Sequence, residues 1–212
     1  MGSNGIDRQE ISPAKEREDR ILLAATNLFL EHGYDLVTLD EIVQIARVSK
    51  TTIYNIFGTK EALLEAVLAN SSLPHISKAF DPPLSGDIQT MLHTVGVRYL
   101  KRYFAPQSLA VMRLCLTLAP RLPHIGQYFL ENGRMKCAER AAALMTDWAK
   151  KGLIKTDDAT AAANFFLQLL RTNHQLDALY KPGFSISDEE IELDVARAVK
   201  IFLISLEETD IN

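Results

Sequence analysis

Apolar residues recur three and four positions apart along most of this chain, and no stretch alternates apolar with polar in the two-residue period of a half-buried strand. That spacing dictates helices, so the expected fold class is all-α. Ile21, Leu22, Ala25, Leu28 and Phe29 share one face of a first helix over about 14–32, and Gly33 follows where a helix can end in the left-handed region without a Cβ penalty. Thr38 and Glu41 have the T-x-x-E spacing of a capping box, which opens a short second helix with Leu39, Ile42, Val43 and Ala46 facing inward. Ser49 is the expected N-cap of a third helix ending near Phe57 and Gly58. A fourth starts at Thr59 or Lys60 and is broken by Pro74. Longer helices are expected over about 88–104, 107–119, 125–151 and 157–180, and a last one after Ser187, which with Glu190 repeats the capping-box spacing. The result is about nine helices, small ones first and long ones after, with the clearest break at "DPPLSGD" (81–87).

Two short helices joined by a tight turn form a helix-turn-helix, whose second helix enters the major groove of DNA. On a wheel of about 100° per residue, Ile53 marks the inner side of the third helix, with Phe57 about 40° away and Ser49 and Ile56 near. Thr51 and Asn55 point about 160° away from Ile53, flanked by Thr52 and Tyr54. A solvated helix face mixes both signs of charge. Here no Asp or Glu occurs between Val43 and Thr59, whereas Arg47 and Lys50 are present and Lys60 follows. Yet the first 70 residues hold 7 Lys and Arg against 11 Asp and Glu, and the whole chain carries −4. Carboxylates surround this helix and are absent from it, as a phosphate-facing surface requires. The side-chain chemistry then suggests roles. Lys50 can donate to guanine, Asn55 can bond adenine at two points, and Thr51 and Thr52 can bond bases or press on a thymine methyl. Tyr54 and Lys60 suit phosphate oxygens, and Thr38 presents helix-start N–H groups to another.

At these residues the chain resembles the TetR family of transcriptional regulators, through "RILLAATNLFLEHGYDLVTLDEIVQIARVSKTTIYNIFGTKEALLEAVL" (20–68). The resemblance implies three N-terminal DNA-binding helices followed by a larger C-terminal helical bundle for ligand binding and dimerisation. The sequence departs from the family pattern at Val43 (usually Ala), Arg47 (usually Gly), Thr51 (usually a smaller residue) and Ile56 (often His or Tyr). Arg47 therefore either strains the turn or adds a phosphate contact. The stretch "RLCLTLAPRLPHIGQYFLENG" (113–133) is similar to the AefR-like subgroup. The expected organisation is a flexible N-terminal segment (1–13), a helix-turn-helix domain (14–60) and a ligand-binding and dimerisation domain (61–212). The expected activity is that of a cytoplasmic homodimeric repressor on an inverted-repeat operator of double-stranded DNA, released by an unidentified small-molecule effector.

The second part gives weaker signals. Arg113 lies between Met112, Leu114 and Leu116, and Asn173 and His174 share a face with Phe166 and Leu170. Buried polar groups need partners. They either form internal ion pairs and hydrogen bonds or orient a ligand in a pocket with Tyr99, Tyr103, Phe129, Trp148 and Phe166. The last two long helices carry Leu169, Leu170 and Leu176, and Val195, Ala198 and Phe202, and are expected to build the dimer interface. The five His residues have no H-E-x-x-H spacing, and no Gly-rich phosphate loop or G-x-S-x-G is present, so neither metal, cofactor nor catalysis is expected. A helical enzyme or an interaction domain without DNA binding is the alternative reading. Cys115 and Cys137 show no C-x-x-C pattern, which fits buried structural thiols in a reducing compartment. No apolar run approaches the length of a membrane span.

Overall fold

The computed structural model describes residues 12–171 and 174–207, all helix and connecting segments. The segment 1–11 and Asn173 lie outside the described residues. The chain forms two compact units, Met1–Asn70 and Ser71–Asn212.

The first unit contains α1 (Pro13–His32), α2 (Leu39–Ala46), α3 (Lys50–Phe57) and α4 (Lys60–Ala69). Each start has a side-chain cap, supplied in turn by Ser12, Thr38, Ser49 and Thr59. Pro13 fills the first position of α1, where its missing N–H costs nothing. At α2 the full capping box forms. Thr38 N–H donates to Glu41 Oε2 at 2.6 Å, and Glu41 N–H donates to Thr38 Oγ1 at 3.3 Å. The bond from Thr38 N–H, with a second from the Thr38 hydroxyl, holds the Glu41 carboxyl below the usual carboxylate range. Ile21, Ala25 and Phe29 of α1 meet Ile42, Leu63, Leu64 and Val67 in a core that is almost fully closed. α4 packs on α1, so this unit runs on to Asn70, past the boundary at residue 60 drawn from sequence.

The second unit starts with a 3₁₀ helix, Leu73–Phe80, then α5 (Ile88–Tyr103) and α6 (Pro106–Leu118). It continues with α7 (Pro123–Phe129), α8 (Lys136–Lys150), α9 (Ala159–Arg171), α10 (Gln175–Tyr180) and α11 (Asp188–Glu207). The one helix expected over 125–151 is α7 and α8 joined through a π-helical turn, Leu130–Met135. Gly133 sits in that turn, and a Cβ there would lie 2.7 Å from Leu73 Cδ1. The helix expected over 157–180 is instead α9 and α10. Arg113 closes the end of α10, donating through Nε to Leu179 O at 3.1 Å and through Nη2 to Ala178 O and Lys181 O. "DPPLSGD" is not the domain junction. Arg98 Nη1 donates to Asp81 O at 3.0 Å, and Asp81 pairs with Arg140, so the segment is strapped to the second unit.

α8 packs on α9, and α5 packs on α11 and the 3₁₀ helix. The α5–α11 crossing depends on Gly96, where a Cβ would lie 2.7 Å from Val195 Cγ1 and 3.0 Å from Leu170 Cδ2. Both neighbours are buried and have little room to withdraw. Gly96→Ala is therefore expected to destabilise the protein by about 1–3 kcal/mol through overpacking. A lowered urea midpoint at unchanged m-value would show it, and an unchanged midpoint would refute so tight a crossing.

Candidate functional site

α3 buries Ile53 alone, and Thr51, Tyr54 and Asn55 are exposed. Ile56, expected beside the core, is 40% exposed. The helix packs against α2 and α4 along one edge, and the wheel position 60° round from Ile53 is left uncovered. Thr52 is half-buried; its N–H donates to Ser49 Oγ at 3.1 Å, and the two hydroxyls lie 2.8 Å apart. Thr38 is likewise engaged, its hydroxyl donating to Glu41 Oε2 at 2.8 Å.

Arg47 is the residue that ends α2. It has φ 54° and ψ 52°, the left-handed region, and its N–H donates to Val43 O. Its side chain is free to project from the turn, because the residue is exposed. Lys50 is exposed too, but its Nζ lies 3.0 Å from both oxygens of Asp40 in the first turn of α2. The outer surface of the motif thus includes one carboxylate that a reading confined to α3 leaves out. Lys60 turns the other way. Its Nζ donates to Tyr34 O at 2.6 Å and sits 4.3 Å from the Tyr34 ring centroid and 5.8 Å from that of Phe29. Burial pushes the Lys60 pKa down, against the opposing pull of Asp35 and Glu41. Arg47, Thr51, Tyr54 and Asn55 are therefore exposed, Lys50 is exposed but paired with Asp40, and Thr38, Thr52 and Lys60 have partners within the unit.

The second unit contains an open cavity of about 340 Å³ lined by the 3₁₀ helix, α5, α6, α7, the π turn, α8, α9 and α10. Of the expected pocket residues, Tyr99, Tyr103 and Phe129 line it. Arg113, Trp148, Phe166 and His174 do not. Arg113 caps α10, as described above. Trp148 is 3% exposed in the core, and Phe166 lies against Phe202 with ring centroids 5.0 Å apart. His174 Nε2 is 2.9 Å from Asp194 Oδ2, with its ring beside Phe104 and Phe184. The cavity wall instead includes Arg134, Arg171, Gln175 and both cysteines. The signal for Arg171 was present in the sequence: it extends the stripe of Ala163, Leu167 and Leu170 by one helical step. Burial pushes both thiols up to about 12, so they are neutral and fit the expected structural role.

Leu170, Val195, Ala198 and Phe202, expected at a dimer interface, are core residues. The apolar side chains left outside on α9 and α11 are Phe165, Leu193, Ile201 and Ile204, with Leu169 half-buried beside them in sequence. Leu176 is exposed on α10. Among the described residues, no helix is long and apolar enough to cross a membrane.

Residues 21–67 match the model of bacterial regulatory proteins of the tetR family, and residues 90–205 that of the AefR-like transcriptional repressor C-terminal domain. The sequence is 28% identical over 156 residues to the HTH-type transcriptional regulator UidR of Escherichia coli K12, covering 73% of this chain and 77% of that one. It is 35% identical over 101 residues to the HTH-type transcriptional regulator TtgW of Pseudomonas putida, covering 48% and 73%. Among solved structures, a TetR-family regulator from Mesorhizobium loti superposes with a TM-score of 0.82 at 23% identity, covering 92% of this chain and 98% of that one. The flavonoid-responsive regulator FrrA does so at 0.70 and 26%, covering 89% and 96%.

Proposed function

The chain belongs to the TetR family of transcriptional regulators, with an AefR-like C-terminal domain, and from that premise we propose that it is a homodimeric, ligand-released repressor acting on DNA in the cytoplasm. Its relatives are transcriptional regulators and not enzymes. The observation that carries the reading is the outer face of α3, where Thr51, Tyr54 and Asn55 are exposed with no carboxylate in the helix. In this reading α3 lies in the major groove. Asn55 and Lys50 bond base edges, Thr51 meets a base or a thymine methyl, and Tyr54 and Arg47 take phosphate oxygens. Thr38 keeps its place at the start of α2, where free N–H groups suit a further phosphate. Arg47 supports this in its own way. A non-glycine residue in the left-handed region costs on the order of 1–3 kcal/mol, and such strain is retained where the side chain has a use. Exposed at the turn before α3, a guanidinium has a use against phosphate.

One helix of this length touches too few base pairs for operator specificity. A two-fold dimer doubles the contact and requires an inverted repeat with half-sites about one helical turn or a little more apart. Phe165 of α9 and Leu193, Ile201 and Ile204 of α11 supply the apolar surface for a four-helix dimer interface. The cavity holds the effector, with Tyr99, Tyr103 and Phe129 in contact. An effector that favours a non-binding arrangement of the dimer by about 1–3 kcal/mol changes operator occupancy several-fold or more. Light scattering is expected to give twice the chain mass of 23.7 kDa. Selection of bound fragments from the source genome should return inverted repeats. A monomer both on and off DNA would refute the dimeric reading.

A further inference from the structure

Among the described residues, the cavity wall has two cations and no anion. Arg134 and Arg171 line it, and no Asp or Glu does. Its other titratable groups are neutral at ordinary pH, because burial raises the pKa of Tyr99, Tyr103, Cys115 and Cys137 alike. Most of the remaining wall is apolar: Leu73, Ile76, Met112, Phe129 and Leu130 among others.

Arg171 is held in place, and its charge is left uncompensated. Its Nε donates to Leu167 O at 3.0 Å, and its Nη2 lies 3.4 Å from Gln168 Oε1. Its guanidinium carbon is 5.6 Å from the Tyr103 ring centroid, and its charge opposes the burial that raises the pKa of the Tyr99 and Tyr103 phenols. All these partners are neutral. Among the described residues no carboxylate forms an ion pair with Arg171. Elsewhere in the unit, Arg140 pairs with Asp81 and Lys101 with Asp188. A half-buried guanidinium facing an apolar cavity without a counter-ion carries a desolvation penalty that a bound anion would relieve. Its planar fork matches a carboxylate, and Tyr99 and Tyr103 place two hydroxyls beside it.

We propose that the ligand of this cavity is an apolar carboxylate, its carboxylate held by Arg171 with the Tyr99 and Tyr103 hydroxyls and its hydrophobic body laid among Leu73, Ile76 and Phe129. The proposal rests on reading the cavity as the effector site. Arg134, exposed at the cavity wall, attracts the anion but does not fix it. A volume of about 340 Å³ lies at the small end of the range for small-molecule sites, roughly 300–1,000 Å³, so the ligand is compact.

The test is calorimetric titration of the full chain, without DNA, with 2-naphthoate and decanoate and with their neutral amides. Wild type is expected to bind at least one carboxylate ten times more tightly, or better, than its amide. Arg171→Gln should abolish that preference, while Arg134→Gln should weaken both members of a pair by less than threefold. Each variant is compared with itself on matched ligands, so a loss of stability cannot imitate the result. Circular dichroism checks that both variants are folded, and Arg171→Lys, which keeps the charge, should retain part of the preference. If no carboxylate binds, if carboxylate and amide bind equally to wild type, or if the preference survives in Arg171→Gln, the proposal is overturned. Arg171-dependent binding that leaves operator affinity unchanged would uphold this inference and reject the release mechanism instead.

Discussion

Asn55→Ala is expected to weaken operator binding by about 1–3 kcal/mol per half-site, a loss that a two-fold dimer suffers twice. Asn55 is the exposed amide of α3, and no other side chain there can satisfy adenine at two points. Lys50→Ala should act in the same direction, and its partner Asp40 gives a control of opposite sign. The Lys50–Asp40 pair is exposed at both ends, and such pairs contribute at most about 1 kcal/mol, so DNA can recruit Lys50 at little cost. Asp40→Asn frees the ammonium and removes the carboxylate nearest to it. Affinity for all sequences should rise, and the salt dependence should steepen. Fluorescence anisotropy over a salt series measures all three variants. Wild-type affinity in both Asn55→Ala and Lys50→Ala would remove α3 from the reading role.

The local grammar of the chain was readable, and the relations between helices were not. Both capping boxes, at Thr38–Glu41 and Ser187–Glu190, form as their spacing requires, because a cap is decided within four residues. Ile53 was legible as the anchor of α3 for the same reason. Ile56 was not, because a wheel gives a direction but not the width of the neighbour that covers it. Asp40 is not legible as a neighbour of Lys50, because that place depends on how α2 and α3 cross. The cavity was the least legible part. Trp148 and Phe166 carry the same aromatic signal as Tyr99 and Phe129, and only the packing decides which pair stays in the core and which lines the cavity. Arg113 and Arg171 are a matched case. Both are single cations on apolar stripes, yet one is taken up by the carbonyls at the end of α10 and the other faces the cavity.

Lys60→Ala is expected to cost about 1–3 kcal/mol of stability, because it leaves the Tyr34 carbonyl without the ammonium that now satisfies it. Loss of the contact with the Tyr34 ring adds about 0.5–1 kcal/mol. These losses are set against the desolvation that burial imposes on the charge, so the smaller end of the range is expected where water reaches the carbonyl in the variant. Lys60→Met separates the parts. It keeps most of the stem and removes the donor, so it should lose nearly as much as Lys60→Ala if the carbonyl dominates. The sequence alone suits Lys60 to a phosphate contact, and the two roles have different signatures. A buttress lowers the melting temperature of the free protein and leaves the salt slope of DNA binding unchanged when both proteins are folded. A phosphate contact leaves the melting temperature alone and lowers the slope by about one per half-site. The inward hydrogen bond of 2.6 Å favours the buttress, with Lys60 fixing the loop at Tyr34 that leads into α2.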